Sequence, residues 1–406
     1  MLSTQWWAML TNSERTGPLR VLVLEPEGRG GDWQYTVAFS GGLSEEGVDA
    51  ALGTVSPWEP VPYCKPVPIL SIARRLGAGS GAGRLSPRRF AFHLHKLLGV
   101  RKAIEQHRPD IVHFQGPLGK LDFLHFRYIK FLGPRIVFTA HDARPLPPGR
   151  RVFDRARYNQ ADKVLVHSTS ALRGLVSSGI SEDKLTKIRE GNFLHQLRQS
   201  NLSASQAKEL LGVPADARLL LFFGWIQPRK GLDLLIKAFA LLRRDHADLY
   251  LAIAGKPGED FHPYQDLINR LGIADRVVLA LRWIPSDEVP NYFGPADVVV
   301  LPYRRIHFSA VLQLAYAHGK PLIVTNVGGI DETVSEDHTG IVAVSPDAQG
   351  IAAAIRQFLS DPVAAAQMGE RGRRLAETKY SWRTVAREVM EIYRQVLSRP
   401  YHHVTT

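Results

Sequence analysis

Two doubly wound α/β domains are the fold class this sequence predicts, and three observations predict it. The chain has 406 residues, more than the roughly 250 to 300 that one hydrophobic core usually serves. Short β-branched runs recur along it, each followed by a turn and a helix-like stretch, the pattern of parallel sheets covered on both faces. Between positions 196 and 216 the composition turns polar, which divides the runs into two sets.

In order, the first set is Arg20–Leu24, Ile111–Phe114, Arg135–Thr139 and Lys163–Val166. The second is Leu219–Phe223, Leu249–Ala254, Val277–Leu279, Val298–Leu301, Leu322–Thr325 and Ile341–Val344. In the polar stretch, Ser203 or Ser205 caps a helix that Pro214 stops. After Ser360 the chain is helical, with a break near "KYSW". Beyond it, Val385, Val389, Ile392, Tyr393 and Val396 recur at helical spacing, so this last helix packs against something.

A formal charge of +12 points to anionic partners: nucleotides, phospholipid headgroups or nucleic acid. Nucleic acid is disfavoured, because the basic residues are spread along the chain without an aromatic-interleaved basic motif or zinc-finger spacing. No segment reaches the roughly 18 uninterrupted apolar residues of a membrane span. The opening "MLSTQWWAMLTNSERTGPLR" does not read as a secretion signal; Trp6 and Trp7 would touch a membrane interface or pack on the body. The single Cys64 excludes a disulfide within the chain and a cysteine metal cluster, and a cytoplasmic setting is expected.

Parallel sheets bind ligands at the carboxyl ends of their strands, so the residues after each run are the candidates. After the first comes "EPEGRGGDW", where Gly28, Gly30 and Gly31 would let backbone approach an anion, unless they only make a flexible turn. "TAHDARP" places His141 where imidazole can orient a hydroxyl or act as acid or base; the alternative is a bond to a neighbouring loop. His113, at a similar exit, reads as structural support.

In the second half, "FFGWIQPRKGLDLL" sets Gly224, then Arg229 and Lys230 at a helix start, where cations join free amides to hold phosphate. "AGKPGED" offers Lys256. Arg282 and Trp283 could lie against a base, with interdomain packing of Trp283 as the alternative. In "LPYRRIHFSAVLQLAYAHGKP" a helix starts near Ser309, bringing His307, Ser309 and the amides of Ala310 and Val311 toward the region of Lys230. A diphosphate could span both helix starts, or Ser309 could serve only as a cap.

These segments, with "LRWIPSDEVPNYFGPADVVVLPY", "TNVGGIDETV", "DHTGIVA" and the closing "YSW", resemble the GT-B glycosyltransferases, specifically family 4. The resemblance implies two Rossmann-like domains facing across a cleft, with a final helix, 381–398, crossing back to the first. It implies an acceptor-binding domain over 17–200 and a nucleotide-sugar-binding domain over 212–378. It further implies retaining transfer of a sugar from a nucleoside diphosphate to a glycan or lipid-linked acceptor, without a bound metal or cofactor. Lys230 and Arg229 would balance the leaving diphosphate, and His141 would orient sugar or acceptor. A basic peripheral protein at the inner face of an anionic membrane fits that role.

Three departures stand out. Trp225 follows Gly224 where the family commonly has arginine, and "IREGN" stands where relatives often show a proline-histidine pair. Ile306 and Leu314 fall where relatives carry paired glutamates. The departures leave open a degenerate relative that binds nucleotide-sugar or glycan and supports a partner transferase. An epimerase-type isomerase on the same fold would need a pair of cleft carboxylates, which the sequence does not display.

Overall fold

A computed structural model describes residues 17–61, 65–74, 87–118, 122–141, 151–194, 202–306 and 309–400. The chain divides into two compact units, one of residues 1–190 with 382–406 and one of residues 191–381.

The first unit holds a seven-stranded, all-parallel sheet. Its strands are β1 (Arg20–Leu24), β2 (Asp49–Ser56), β3 (Ile69–Arg74), β4 (Ile111–Phe114), β5 (Arg135–Thr139), β6 (Lys163–Val166) and β7 (Leu185–Lys187), in the order β3-β2-β1-β4-β5-β6-β7. The strands named from sequence are present; β2, β3 and β7 are additions. β2 reads DAALGTVS, too rich in alanine and glycine to look like a strand, yet it is buried because β1 and β3 flank it. A Cβ on Gly53 would lie 2.5 Å from Leu24 Cδ2, so a larger residue there would push that side chain aside. β7 is a three-residue edge strand with one buried side chain, too short to show a period.

The second unit repeats the plan with six parallel strands. These are β8 (Arg218–Phe223), β9 (Leu249–Ala254), β10 (Val277–Ala280), β11 (Val298–Leu301), β12 (Leu322–Thr325) and β13 (Gly340–Ala343), ordered β10-β9-β8-β11-β12-β13. One apolar cluster covers each face: Phe223, Tyr303, Leu312 and Tyr316 on one, Phe222, Leu235, Phe239 and Ile355 on the other. In both sheets the order reverses beside the first strand of the unit, the switch point at which such sheets bind ligands.

The units part at Glu190/Gly191, ahead of the polar stretch. Asn192 is the reason: its N–H donates to Tyr380 O at 2.8 Å and its Nδ2 to Ala376 O at 2.5 Å, while Phe193 enters the second core. Ser203 does cap the helix Ala204–Leu210, with Gln206 completing a capping box. The last helix, Trp382–Ser398, belongs to the first unit. Its carbonyl at Trp382 lies against Gly42, where a Cβ would come within 2.7 Å, and Arg383 and Arg387 both reach Glu46 at 2.7 Å. Among the described residues no helix is long and apolar enough to cross a membrane.

Candidate active site

In the second unit several strand exits converge on one lysine. β8 ends at Phe223, and Gly224 turns the chain at φ 96°. A Cβ on Gly224 would lie 3.0 Å from Lys230 Nζ and 3.3 Å from Val311 Cγ2. The lysine tip, the glycine turn and the start of the helix Ala310–Ala317 therefore meet at one place. The exit of β9 packs on the same turn, for a Cβ on Gly255 would fall 2.1 Å from Gly224 O.

Arg229 and Lys230 form a single 3-10 turn, Pro228–Lys230, ahead of the helix Leu232–Leu242. Gly231, at φ 65°, joins the two, tight against the carbonyl of Pro302. Lys230 is only 7% exposed, and among the described residues its ammonium has neither a hydrogen bond nor an ion pair. Its Nζ lies 5.5 Å from the centroid of the Tyr303 ring. Burial lowers its pKa to about 7, and the neighbouring Arg229 adds to that shift. Arg229 donates from Nε to Gln227 Oε1 at 2.8 Å, and its carbonyl accepts from Arg304 N at 2.8 Å. Arg304 itself is clasped by both oxygens of Asp233, at 2.6 and 2.7 Å.

Ser309 caps the helix Ala310–Ala317, its Oγ accepting from Leu312 N at 3.4 Å and lying 3.3 Å from Tyr303 Oη. As the first amides of a helix, those of Ala310 and Val311 have no acceptor within it. A buried cation and two free amides are what an oxyanion of a diphosphate needs. The other sequence candidates lie at the margin. Lys256 is exposed on the loop after β9. Arg282 is paired with both oxygens of Glu288, and Trp283 is 67% exposed. Trp225 is exposed and lies over Gly258. His307 lies outside the described residues. Ile306 and Leu314, at the places of the paired glutamates, are buried in the apolar core, and Gly328 packs against the carbonyl of Ile306.

In the first unit His141 follows β5 and donates from Nε2 to Gln115 Oε1 at 2.9 Å. That bond fixes the imidazole in the Nε2–H form. Burial lowers the pKa of His141 to about 4. Its ring stacks on His167, with centroids 5.3 Å apart and planes at 28°. His167, at the exit of β6, was missed by the sequence reading, although the strand-exit rule that selected His141 also selects it. His113 is fully buried, bridging Tyr393 Oη on Nδ1 and Thr139 Oγ1, 2.7 Å away, on Nε2.

The glycine loop after β1 differs from the expectation of amides held open for an anion. Glu25 turns its carboxylate back into the loop, accepting from Glu27 N at 3.0 Å and Gly28 N at 2.5 Å. Gly30 N donates to Glu59 Oε2 at 3.0 Å, while a Cβ on Gly30 or Gly31 would meet open space. The chain's own acids fill the place the sequence reading gave to a ligand, because Glu59, 29 residues away, folds onto the loop. Among the described residues no group of three or more histidine, cysteine, aspartate or glutamate side chains is arranged to hold a metal ion.

Two family models match the chain: "Glycosyltransferase Family 4" over residues 29–191 and "Glycosyl transferases group 1" over residues 205–375. A D-inositol 3-phosphate glycosyltransferase of Streptomyces avermitilis is 30% identical over 318 residues, 73% of this chain and 68% of that protein. The protein of the same name from Corynebacterium urealyticum is 29% identical over 263 residues, 63% of this chain, and the match spans only 61% of its own length. The crystal structure of HepE from Anabaena in complex with UDP-glucose superposes with a TM-score of 0.70 at 17% identity, covering 93% of this chain and 100% of that one. Two parallel α/β units, two adjoining family matches and relatives at this level of identity lead to one conclusion: the chain belongs to the glycosyltransferases, of the family 4 type with the GT-B fold.

Proposed function

We propose that the protein transfers a sugar from a nucleoside-diphosphate sugar to a hydroxyl of a glycan or lipid-linked acceptor, with retention of configuration and without a bound metal or cofactor. The observation that carries this reading is Lys230: a buried ammonium with no counter-anion among the described residues, beside a glycine turn and two free helix amides. Such a place is completed by an anion, and a leaving diphosphate is the anion this family handles. The binding of UDP and UDP-glucose by HepE, a protein of the same fold, supports that choice.

In this reading Lys230, with Arg229 behind it, stabilises charge that develops on the diphosphate as the glycosidic bond breaks. Ser309 and the amides of Ala310 and Val311 hold a phosphate oxygen. The leaving diphosphate itself takes the acceptor's proton, so the enzyme contributes orientation and electrostatics more than acid-base chemistry. The missing glutamates then alter how the donor sugar's hydroxyls are read, and leave the bond-breaking step intact. His141, neutral at physiological pH, hydrogen-bonds a hydroxyl and carries no charge. Peripheral contact with an anionic membrane at its cytoplasmic face belongs to the same reading, since lipid-linked acceptors lie there.

Calorimetric titration with UDP, GDP and ADP sugars tests the proposal. One of them is expected to bind, and Lys230→Met to weaken it at least tenfold. Failure of all of them to bind overturns the proposal. Binding without transfer to any acceptor favours the second reading, a support protein for a partner transferase, which the apolar burial of Ile306 and Leu314 motivates.

A further inference from the structure

Two helices on one face of the first sheet carry apolar side chains on their outer sides as well as their inner ones. The helix Pro87–His107 buries Val100, Ala103 and Ile104, and the helix Asp122–Leu132 buries Phe126 and Ile129, in the same apolar cluster. A surface helix packed in this way is expected to be polar on its opposite side. Here Leu94 and Leu98, one turn apart, are 50% and 55% exposed, and Phe131 on the second helix is 71% exposed. Exposed cations continue the same stripes: Arg101 and Lys102 follow Leu98 by one turn, and Arg127 precedes Phe131 by one turn. Arg101 also reaches the hydroxyl of Tyr128, so the outer sides of the two helices adjoin. Glu105 pairs with Arg101 at 2.7 Å and Asp162 with Lys130 at 3.4 Å, whereas Lys102 and Arg127 have no acidic partner among the described residues.

We propose that this face, with Leu94, Leu98 and Phe131 beside Arg101, Lys102 and Arg127, docks the protein on an anionic lipid surface. The inference rests on the reading above that the acceptor is offered at a membrane, and it names the surface that meets that membrane. Charge complementarity selects lipid phosphates as the occupant. A second copy set against this face about a two-fold axis would oppose like cations. A protein partner fits poorly as well. Protein interfaces gather apolar side chains in a charge-depleted centre, and here cations stand one turn from both Leu98 and Phe131. A bilayer boundary suits the mixture: leucine and phenylalanine enter the acyl margin while the long basic side chains extend to the phosphates. Three apolar tips give only shallow insertion, and salt screens the cations, so the docking is reversible and salt-sensitive.

The test is co-sedimentation of the full-length protein with vesicles at low salt. One set holds equal parts phosphatidylglycerol and phosphatidylcholine, the other phosphatidylcholine alone. The wild-type protein is expected to partition at least tenfold more strongly onto the anionic set. Lys102→Gln with Arg127→Gln should weaken that partition at least tenfold. Leu98→Ser with Phe131→Ser, which leaves the charge unchanged, should weaken it at least threefold. Arg244→Gln with Arg356→Gln removes the same charge from exposed positions of the second unit and should stay within twofold. All six positions are exposed, so the variants should melt as the wild type does. No partition onto anionic vesicles overturns the inference. So does an equal loss in the Arg244/Arg356 pair, which marks net charge alone, or wild-type partition in Leu98→Ser with Phe131→Ser. Nucleotide-sugar binding is titrated separately, without vesicles. If a nucleotide-sugar binds and vesicles do not, only this inference falls; if vesicles bind through this face and no nucleotide-sugar does, only the donor reading falls.

Discussion

A lysine ammonium buried without a carboxylate beside it costs folding energy, and Lys230 carries that cost at the point where Gly224 and Val311 meet it. Its pKa is about 7 in the folded protein against an ordinary 10.5. Between those values the unfolded chain holds more protons, so stability rises with pH across that window. The penalty is therefore full below pH 7 and fades toward pH 10.5. Lys230→Met should raise Tm at pH 6.5 by roughly 2–4 °C for each kcal/mol recovered, with the gain shrinking by pH 9.5. Thermal melts at both pH values check this, while nucleotide affinity in the same variant should fall at least tenfold. Stabilisation together with lost binding marks a ligand site; loss of both marks a structural lysine. Gly255 makes the same point sterically. Gly255→Ala puts a Cβ at 2.1 Å from Gly224 O on a backbone with φ 152°, so about 2–4 kcal/mol should be lost in chemical denaturation.

At the scale of elements, the site is assembled from loop and helix starts more than from helix interiors. Ser309 is the cap of an eight-residue helix whose residues are all buried but the first, so its loss acts on position as much as stability. Ser309→Ala should cost about 1 kcal/mol in denaturant unfolding and weaken the nucleotide, by displacing the amides of Ala310 and Val311. The loop after β1 shows the opposite arrangement. Glycines there do turn the chain, but Glu25 and Glu59 already occupy its amides. Glycine content in a sequence reports what backbone can do, and which acceptor it meets depends on residues arriving from elsewhere. For the same reason His167 escaped notice: it is a lone polar residue after a short strand, and only the pairing of β5 with β6 makes it a neighbour of His141.

At the scale of the molecule, the last helix is part of the first unit's interior. Tyr393, fully buried, meets His113 from 280 residues away in sequence. Tyr393→Phe keeps the packing and leaves His113 Nδ1 without that partner, so about 1–3 kcal/mol should be lost, measured by denaturation. The charge of +12 acts at this scale too. If the proposed acceptor is lipid-linked, the protein should float with vesicles rich in anionic lipid at low salt and release from them at about 0.5 M salt, where the Debye length falls toward 4 Å.

What the sequence by itself determined was the alternation of buried strands and amphipathic helices, the strand exits at which such sheets bind ligands, and the Gly224, Arg229, Lys230 and Ser309 constellation. These are local patterns, set by apolar periodicity, capping residues and glycine turns within a few positions of one another. Tertiary structure alone decided the rest. It made strands of β2, β3 and β7, which carry weak local signals and are held by their neighbours in the sheet. It closed the loop at Gly28 and Gly30 with the chain's own carboxylates. It left Lys230 without a counter-ion among the described residues and stacked His167 on His141. The physical reason is common to all of these. Burial, charge compensation and protonation depend on what the fold brings alongside a residue, and no local stretch of sequence records that.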